Sequence, residues 1–176
     1  MTFFTVTRQI TIDAGHRVMT HDSKCRHLHG HSYRIEMTCC SKYLQTVGKQ
    51  SAMVLDFSFL KEAMLTEINV PCDHGFLAYF KDFELLHMFC HKNINIKEWI
   101  STIEHAINQD GYYLTSETQM KTKLYVMNVN PTAEQLCRHW FERLAPIVKS
   151  KSNSLAYLKK IVVWETQNCR ATYHSS

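Results

Sequence analysis

Cys25-Arg26-His27-Leu28-His29-Gly30-His31-Ser32-Tyr33-Arg34-Ile35-Glu36-Met37-Thr38-Cys39-Cys40 decides the fold, because its character changes half way along. Met19 to Gly30 is polar and broken and reads as a loop. From Ser32 to Cys40 the apolar Tyr33, Ile35 and Met37 alternate with Arg34, Glu36 and Thr38, the two-residue period of a half-buried strand. Phe3 to Asp13, rich in Phe, Val, Thr and Ile, alternates more loosely and reads as an earlier strand. Hairpin logic sets the two antiparallel.

Further out the period changes. Phe57, Leu60, Met64 and Ile68 recur at helical spacing behind Asp56, a capping residue, and Pro71 is expected to end that helix. Pro131 to Val148 is a second helix, with Pro131 at its first turn and Ala133, Leu136, Trp140, Phe141 and Leu144 along one face. Leu158 to Thr166 and Arg170 to His174 read as two closing strands around a turn at Gln167 to Cys169. Strands that flank helices in this order predict an α+β fold, with two helices on one face of a four-stranded antiparallel sheet. His74 to Val129 is far too long for a connection, and it holds a helical stretch near Ile96 to Ile107 and a strand at Thr122 to Val129. It is expected to be an ordered insertion, a lid or a partner surface.

The 176 residues suit one domain, 1–176, with 75–127 inserted into it. Apolar types make up 45% and charged types 20%, enough to bury a core. The net charge of +4 comes from Lys and Arg that are scattered, which argues against nucleic acid as a partner. No apolar run approaches the ~20 residues that span a bilayer, so no membrane association is expected. The seven cysteines are odd in number, none forms a CxxC pair, and Met1 to Arg8 reads as a strand rather than as a leader. A reduced, cytoplasmic protein is expected.

His29 and His31 stand two apart in an extended segment and present their imidazoles to one side, with Gly30 between them allowing close approach of backbone. His16 follows the end of the first strand, and a hairpin brings it beside them. Three neutral imidazoles with a fourth position left open form the pattern of a catalytic zinc. Cys25 is either a fourth ligand, which makes the site structural, or a nucleophile or base just outside the metal. His21, His27, His87, His91, His105 and His139 are read as surface or core histidines. Asp73-His74 pairs a carboxylate with a ring it is able to orient, although adjacent side chains usually diverge. Glu165, at the end of the apolar run Val162-Val163-Trp164, is either an exposed alternate position or an anchor for a ligand with adjacent N–H donors.

Six motifs stand in order: Asp13-Ala14-Gly15-His16; Cys25 separated by three residues from His29-Gly30-His31; Met53-Val54-Leu55-Asp56-Phe57; Asp73-His74; Pro131-Thr132-Ala133-Glu134; and Trp164-Glu165-Thr166. Over residues 3–75 and 128–174 the chain resembles the 6-pyruvoyl-tetrahydropterin synthases and their close relatives, the 6-carboxy-tetrahydropterin synthases. The resemblance implies a tunnelling fold (T-fold), in which sheets of neighbouring subunits join into a barrel. It also implies a homo-oligomer, a trimer or dimer of trimers, with active sites between subunits. By position, His16, His29 and His31 match the zinc ligands, Cys25 the catalytic cysteine, and Asp73 and His74 the catalytic pair. Glu165 matches the glutamate that anchors the pterin, with Thr132 in the pocket segment beside it. The spacing of Cys25 looks like the carboxy-forming branch of the queuosine and 7-deazaguanine pathway, since animal-type enzymes have a longer gap and a third branch carries glutamate there. The chain departs from the family after His74, where the typical protein is much shorter.

The implied substrate is 7,8-dihydroneopterin triphosphate, which loses triphosphate and, in the carboxy branch, acetaldehyde. Arg17, Lys24 and Arg26 are candidate phosphate contacts. The rival readings are a 6-pyruvoyl-tetrahydropterin synthase, a non-catalytic pterin- or zinc-binding scaffold, and a structural zinc site closed by Cys25.

Overall fold

Two long strands carry the architecture, in a computed structural model that describes residues 3–174. β1 (Phe4–His16) and β2 (His29–Ser41) are the strands expected from the alternation, the second beginning earlier than Ser32 so that it includes His29 and His31. Met1 and Thr2, part of the expected leading strand, lie outside the described residues. Phe57–Met64 (α1), a π turn over Leu65–Asn69 and a last α turn over Val70–Cys72 (α2) form one continuous helical run. Asp56 caps it by accepting the Ser58 N–H at 2.6 Å. Pro71 does not stop this run but lies inside its last turn. Proline lacks an N–H and presses on the carbonyl one turn back, and the π turn just ahead of it relaxes that contact.

The remaining elements are β3 (Gly75–Tyr79), α3 (Phe83–Phe89), α4 (Ile96–Asp110), β4 (Tyr112–Thr115), β5 (Lys123–Met127), α5 (Ala133–Lys151), β6 (Tyr157–Trp164) and β7 (Arg170–His174). The fold is α+β, but the sheet is not the expected four antiparallel strands. It has seven strands in the order β4-β5-β3-β1-β2-β6-β7, and it is mixed. The four expected strands are present as β1, β2, β6 and β7. The difference comes from the 75–127 segment, which adds three more. β3 runs parallel to β1 through Ala14, Gly15 and His16, satisfying backbone groups that an edge strand leaves open, and β5 and β4 extend outward from it.

By contact the chain divides into two units. Of the described residues, 3–11, 33–70 and 133–174 form one, and 12–32 with 71–132 form the other. In the first, α5 packs on β6 and β7, burying Leu136, Cys137, Trp140, Leu144 and Val148 at helical spacing against strand residues such as Ile161 and Val163. Each such side chain contributes roughly 1.5–3 kcal/mol. α1 and the π turn lie against α5, joined by an Arg143–Glu67 ion pair. In the second unit, α3 and α4 supply Leu85, Leu86, Phe89, Trp99, Ile103 and Ile107 to a core shared with Ala78, Leu124 and Val126 from β3 and β5. Asn95 caps α4 and Gly111, at φ 81°, ends it.

Candidate metal centre and active site

The end of β1 and the start of β2, both in the second unit, bring His16, His29 and His31 together. Their ring centroids lie 4.4 Å (His16–His29), 5.1 Å (His16–His31) and 5.1 Å (His29–His31) apart. One ring nitrogen from each lies within 4.8 Å of the other two. Gly30 makes the approach possible, since a Cβ there would stand 3.0 Å from the carbonyl oxygen of Ala14.

The surroundings set the rings for ligation. His16 donates from Nδ1 to the Pro131 carbonyl at 2.7 Å, and His29 donates from Nδ1 to the His27 carbonyl at 2.8 Å. A carbonyl only accepts, so each Nδ1 carries the proton and each Nε2 keeps its lone pair, an arrangement typical of metal-bound histidine. His16 is 2% exposed, and burial, with the neighbouring His29 and His31, overrides the Pro131 bond and lowers its pKa to about 4. It is therefore neutral at physiological pH, as a ligand must be. The donor set of three neutral imidazoles fits zinc.

Asp73 and His74 do not diverge. His74 takes a left-handed backbone (φ 54°), which turns its ring back onto Asp73, with Nδ1 2.9 Å from Oδ2. Both residues are tied to β1. Asp73 Oδ1 accepts the Asp13 N–H at 2.9 Å, and the His74 N–H donates to the Asp13 carbonyl at 2.7 Å. Partial burial works against ionisation of Asp73, but the Asp13 N–H, the His74 ring and the Lys123 cation together hold its carboxyl below the usual range. Asp13 also accepts from the Ser32 hydroxyl. His31, His74, Asp13, Gly30, Ser32 and Gly75 border one open cleft of about 400 Å³.

Cys25 lies on a short turn (Lys24–Arg26) of the same unit, its carbonyl accepting the Val18 N–H at 2.8 Å. It is half-buried and stands outside the group of three histidines. Burial pushes the Cys39 thiol up to about 12 and the Cys137 thiol up to about 11, which unfits both for proton transfer at neutral pH. Thr132 is half-buried just ahead of α5, its N–H on the Asn130 carbonyl at 2.8 Å. Glu165 belongs to the other unit, in the bend after β6, where its N–H donates to the Cys169 carbonyl at 3.1 Å. Burial, with Glu165 nearby, raises the pKa of the Tyr33 hydroxyl.

Arg17 differs from its expected role as a phosphate contact. Its Nε donates to Asp82 Oδ2 at 2.6 Å, a second nitrogen pairs with Asp82 Oδ1, and Glu84 lies 3.3 Å away. Asp82, 1% exposed, also caps α3 through the Leu85 N–H. This cation is committed to holding α3. Sequence reasoning missed the part played by Asp13 and by the Pro131 carbonyl. The signal was present in Asp13-Ala14-Gly15-His16 and Pro131-Thr132, which carry the resemblance.

Residues 5–176 match the family model described as 6-pyruvoyl tetrahydropterin synthase. A protein of Rickettsia bellii named 6-carboxy-5,6,7,8-tetrahydropterin synthase is 30% identical over 163 residues, covering 93% of this chain and 94% of its own. One of the same name from Haemophilus influenzae is 28% identical over 170 residues, covering 97% and 98%. Among solved structures, an uncharacterized protein of Wolinella succinogenes gives a TM-score of 0.73 at 18% identity, with 100% of both chains covered. The 6-pyruvoyl tetrahydropterin synthase of Caenorhabditis elegans gives 0.56 at 20% identity, covering 100% of this chain and 98% of that one. At these identities the two structures speak for the fold alone. The sequence relationship, which runs through both units and takes in every motif of the site, makes this chain a member of the 6-pyruvoyl tetrahydropterin synthase family.

Proposed function

We propose that this chain is a zinc-dependent 6-carboxy-5,6,7,8-tetrahydropterin synthase that converts 7,8-dihydroneopterin triphosphate to 6-carboxy-tetrahydropterin with loss of acetaldehyde and triphosphate. The observation that carries this reading is the group of three imidazoles, one of which, His31, borders a cleft together with His74, whose ring rests on Asp73. The choice of product follows the name borne by relatives along nearly their whole length and the three-residue gap from Cys25 to His29.

His16, His29 and His31 would hold the ion through three neutral imidazoles. Zinc supplies Lewis acidity toward the side-chain oxygens of the pterin. Cys25 removes a carbon-bound proton, and His74, oriented through Nδ1 by Asp73, exchanges a second at Nε2. Glu165 binds the pterin by accepting two N–H bonds from its edge, and Thr132 is a second substrate-binding residue. The protein works in the cytoplasm as a homo-oligomer of the T-fold type, a trimer or dimer of trimers, which light scattering of the purified protein tests.

The functional test is metal content measured together with turnover of 7,8-dihydroneopterin triphosphate. Equimolar zinc, with acetaldehyde and triphosphate released in equal amounts, is the expected result. Triphosphate release without acetaldehyde, with a product of 6-pyruvoyl mass, reassigns the reaction. Bound zinc with no turnover leaves a non-catalytic scaffold.

A further inference from the structure

Lys123 opens β5 directly across from Gly75, the first residue of β3, within the 75–127 segment. Its aliphatic stem lies against Gly75, where a Cβ would come 3.3 Å from Lys123 Cδ. Its ammonium donates to the backbone carbonyl of Asp73 at 2.7 Å. The same corner is fastened on its other side by Asp13, which donates its N–H to the Asp73 carboxylate and accepts the His74 N–H. His74, between these ties, holds a left-handed backbone, which a residue with a Cβ keeps only where its surroundings impose it.

We propose that Lys123 is a positioning residue for the Asp73–His74 pair, its side chain strapping the corner from the β5 side so that the His74 ring stays on Asp73. This rests on reading the pair as the proton-handling groups of the reaction. It gives the 75–127 segment a part in the site through β5. The strap needs three features together: a long stem, a cation at its end, and no side chain at residue 75.

Lys123→Met keeps the stem and removes the cation, whereas Lys123→Arg keeps a cation. In the zinc-loaded protein, Lys123→Met is expected to lower kcat about tenfold with KM within about twofold, because the geometry of a reacting group changes rather than binding. Zinc content stays at the parental level, deuterium exchange at the His74 amide becomes faster, and Lys123→Arg recovers most of both readouts. A merely structural lysine would lower the melting temperature without moving kcat per active site. A Lys123→Met protein with parental kcat, or with parental exchange at His74, overturns the proposal. Lys123→Gln, which shortens the stem and removes the cation, supplies the same two readouts should Lys123→Met not fold. If the unaltered protein does not turn over the pterin, the reading of the site falls. Exchange at His74 then judges the strap by itself: faster exchange in Lys123→Met supports it and unchanged exchange overturns it.

Discussion

His16 donates its Nδ1 hydrogen to the carbonyl of Pro131, 2.7 Å away and 115 residues further along the chain. The bond fixes which nitrogen of the most buried of the three rings is left for a metal. It also explains why Pro131-Thr132 belongs with the site, since the backbone there sets a ligand.

Replacing His29 or His31 by Ala is therefore expected to weaken zinc binding more than about 100-fold, beyond what an outer hydrogen-bond partner carries. Chelator competition measures it. The circular dichroism spectrum stays native, because both units have apolar cores built without the ion. Unfolding on chelation would instead identify a structural zinc.

Gly30→Ala should be costly at a position exposed to solvent. Its new methyl meets only backbone, with the Ala14 carbonyl oxygen at 3.0 Å and Gly15 Cα at 3.5 Å, and backbone cannot swing aside. Overpacking of this kind costs about 1–3 kcal/mol, or on the order of 5 °C in melting temperature. Because residue 30 stands between His29 and His31, zinc affinity should fall in parallel. A variant that melts and binds zinc like the parent would remove the argument that these strands must approach closely.

Elements with a long local pattern were legible in the chain: β1, β2, α1, α5 and the closing pair β6–β7. Those that escaped, β3, α3 and β4, have five, seven and four residues, too few to display a period. β3 in addition pairs in parallel with a strand some sixty positions away, which no turn signal announces. The site divides the same way. The His29-Gly30-His31 spacing shows its geometry locally, whereas the convergence of Asp73 and His74 depends on the φ of 54° at His74. The engagement of Arg17 depends on Asp82, whose partner is 65 residues distant.

Cys25→Ala separates a base from a ligand. The cysteine stands outside the histidine group, so the variant is expected to keep its zinc and lose about 10²–10⁴-fold in kcat, the range for a general base. Metal analysis and turnover on one preparation check both. Loss of zinc would make Cys25 the fourth ligand, and unchanged turnover would remove it from the reaction.

His139 on α5 gives the fold a dependence on acid that is separate from the metal centre. It is half-buried, and loss of hydration, aided by the nearby Arg143 cation, lowers its pKa to about 4 from an ordinary 6.5. Between those values the unfolded chain binds a proton there and the folded chain does not, so stability rises with pH through this window. The contribution is complete above about 6.5, is lost progressively as the pH falls toward about 4, and is worth up to about 3 kcal/mol. His16, shifted in the same direction, acts equally in parent and variant and cancels in their difference. His139→Gln should flatten the slope of urea-unfolding free energy against pH between 4 and 6.5, with little effect at pH 8 on zinc content. Equal slopes in parent and variant would show that His139 takes up its proton in the folded protein as readily as in the unfolded chain.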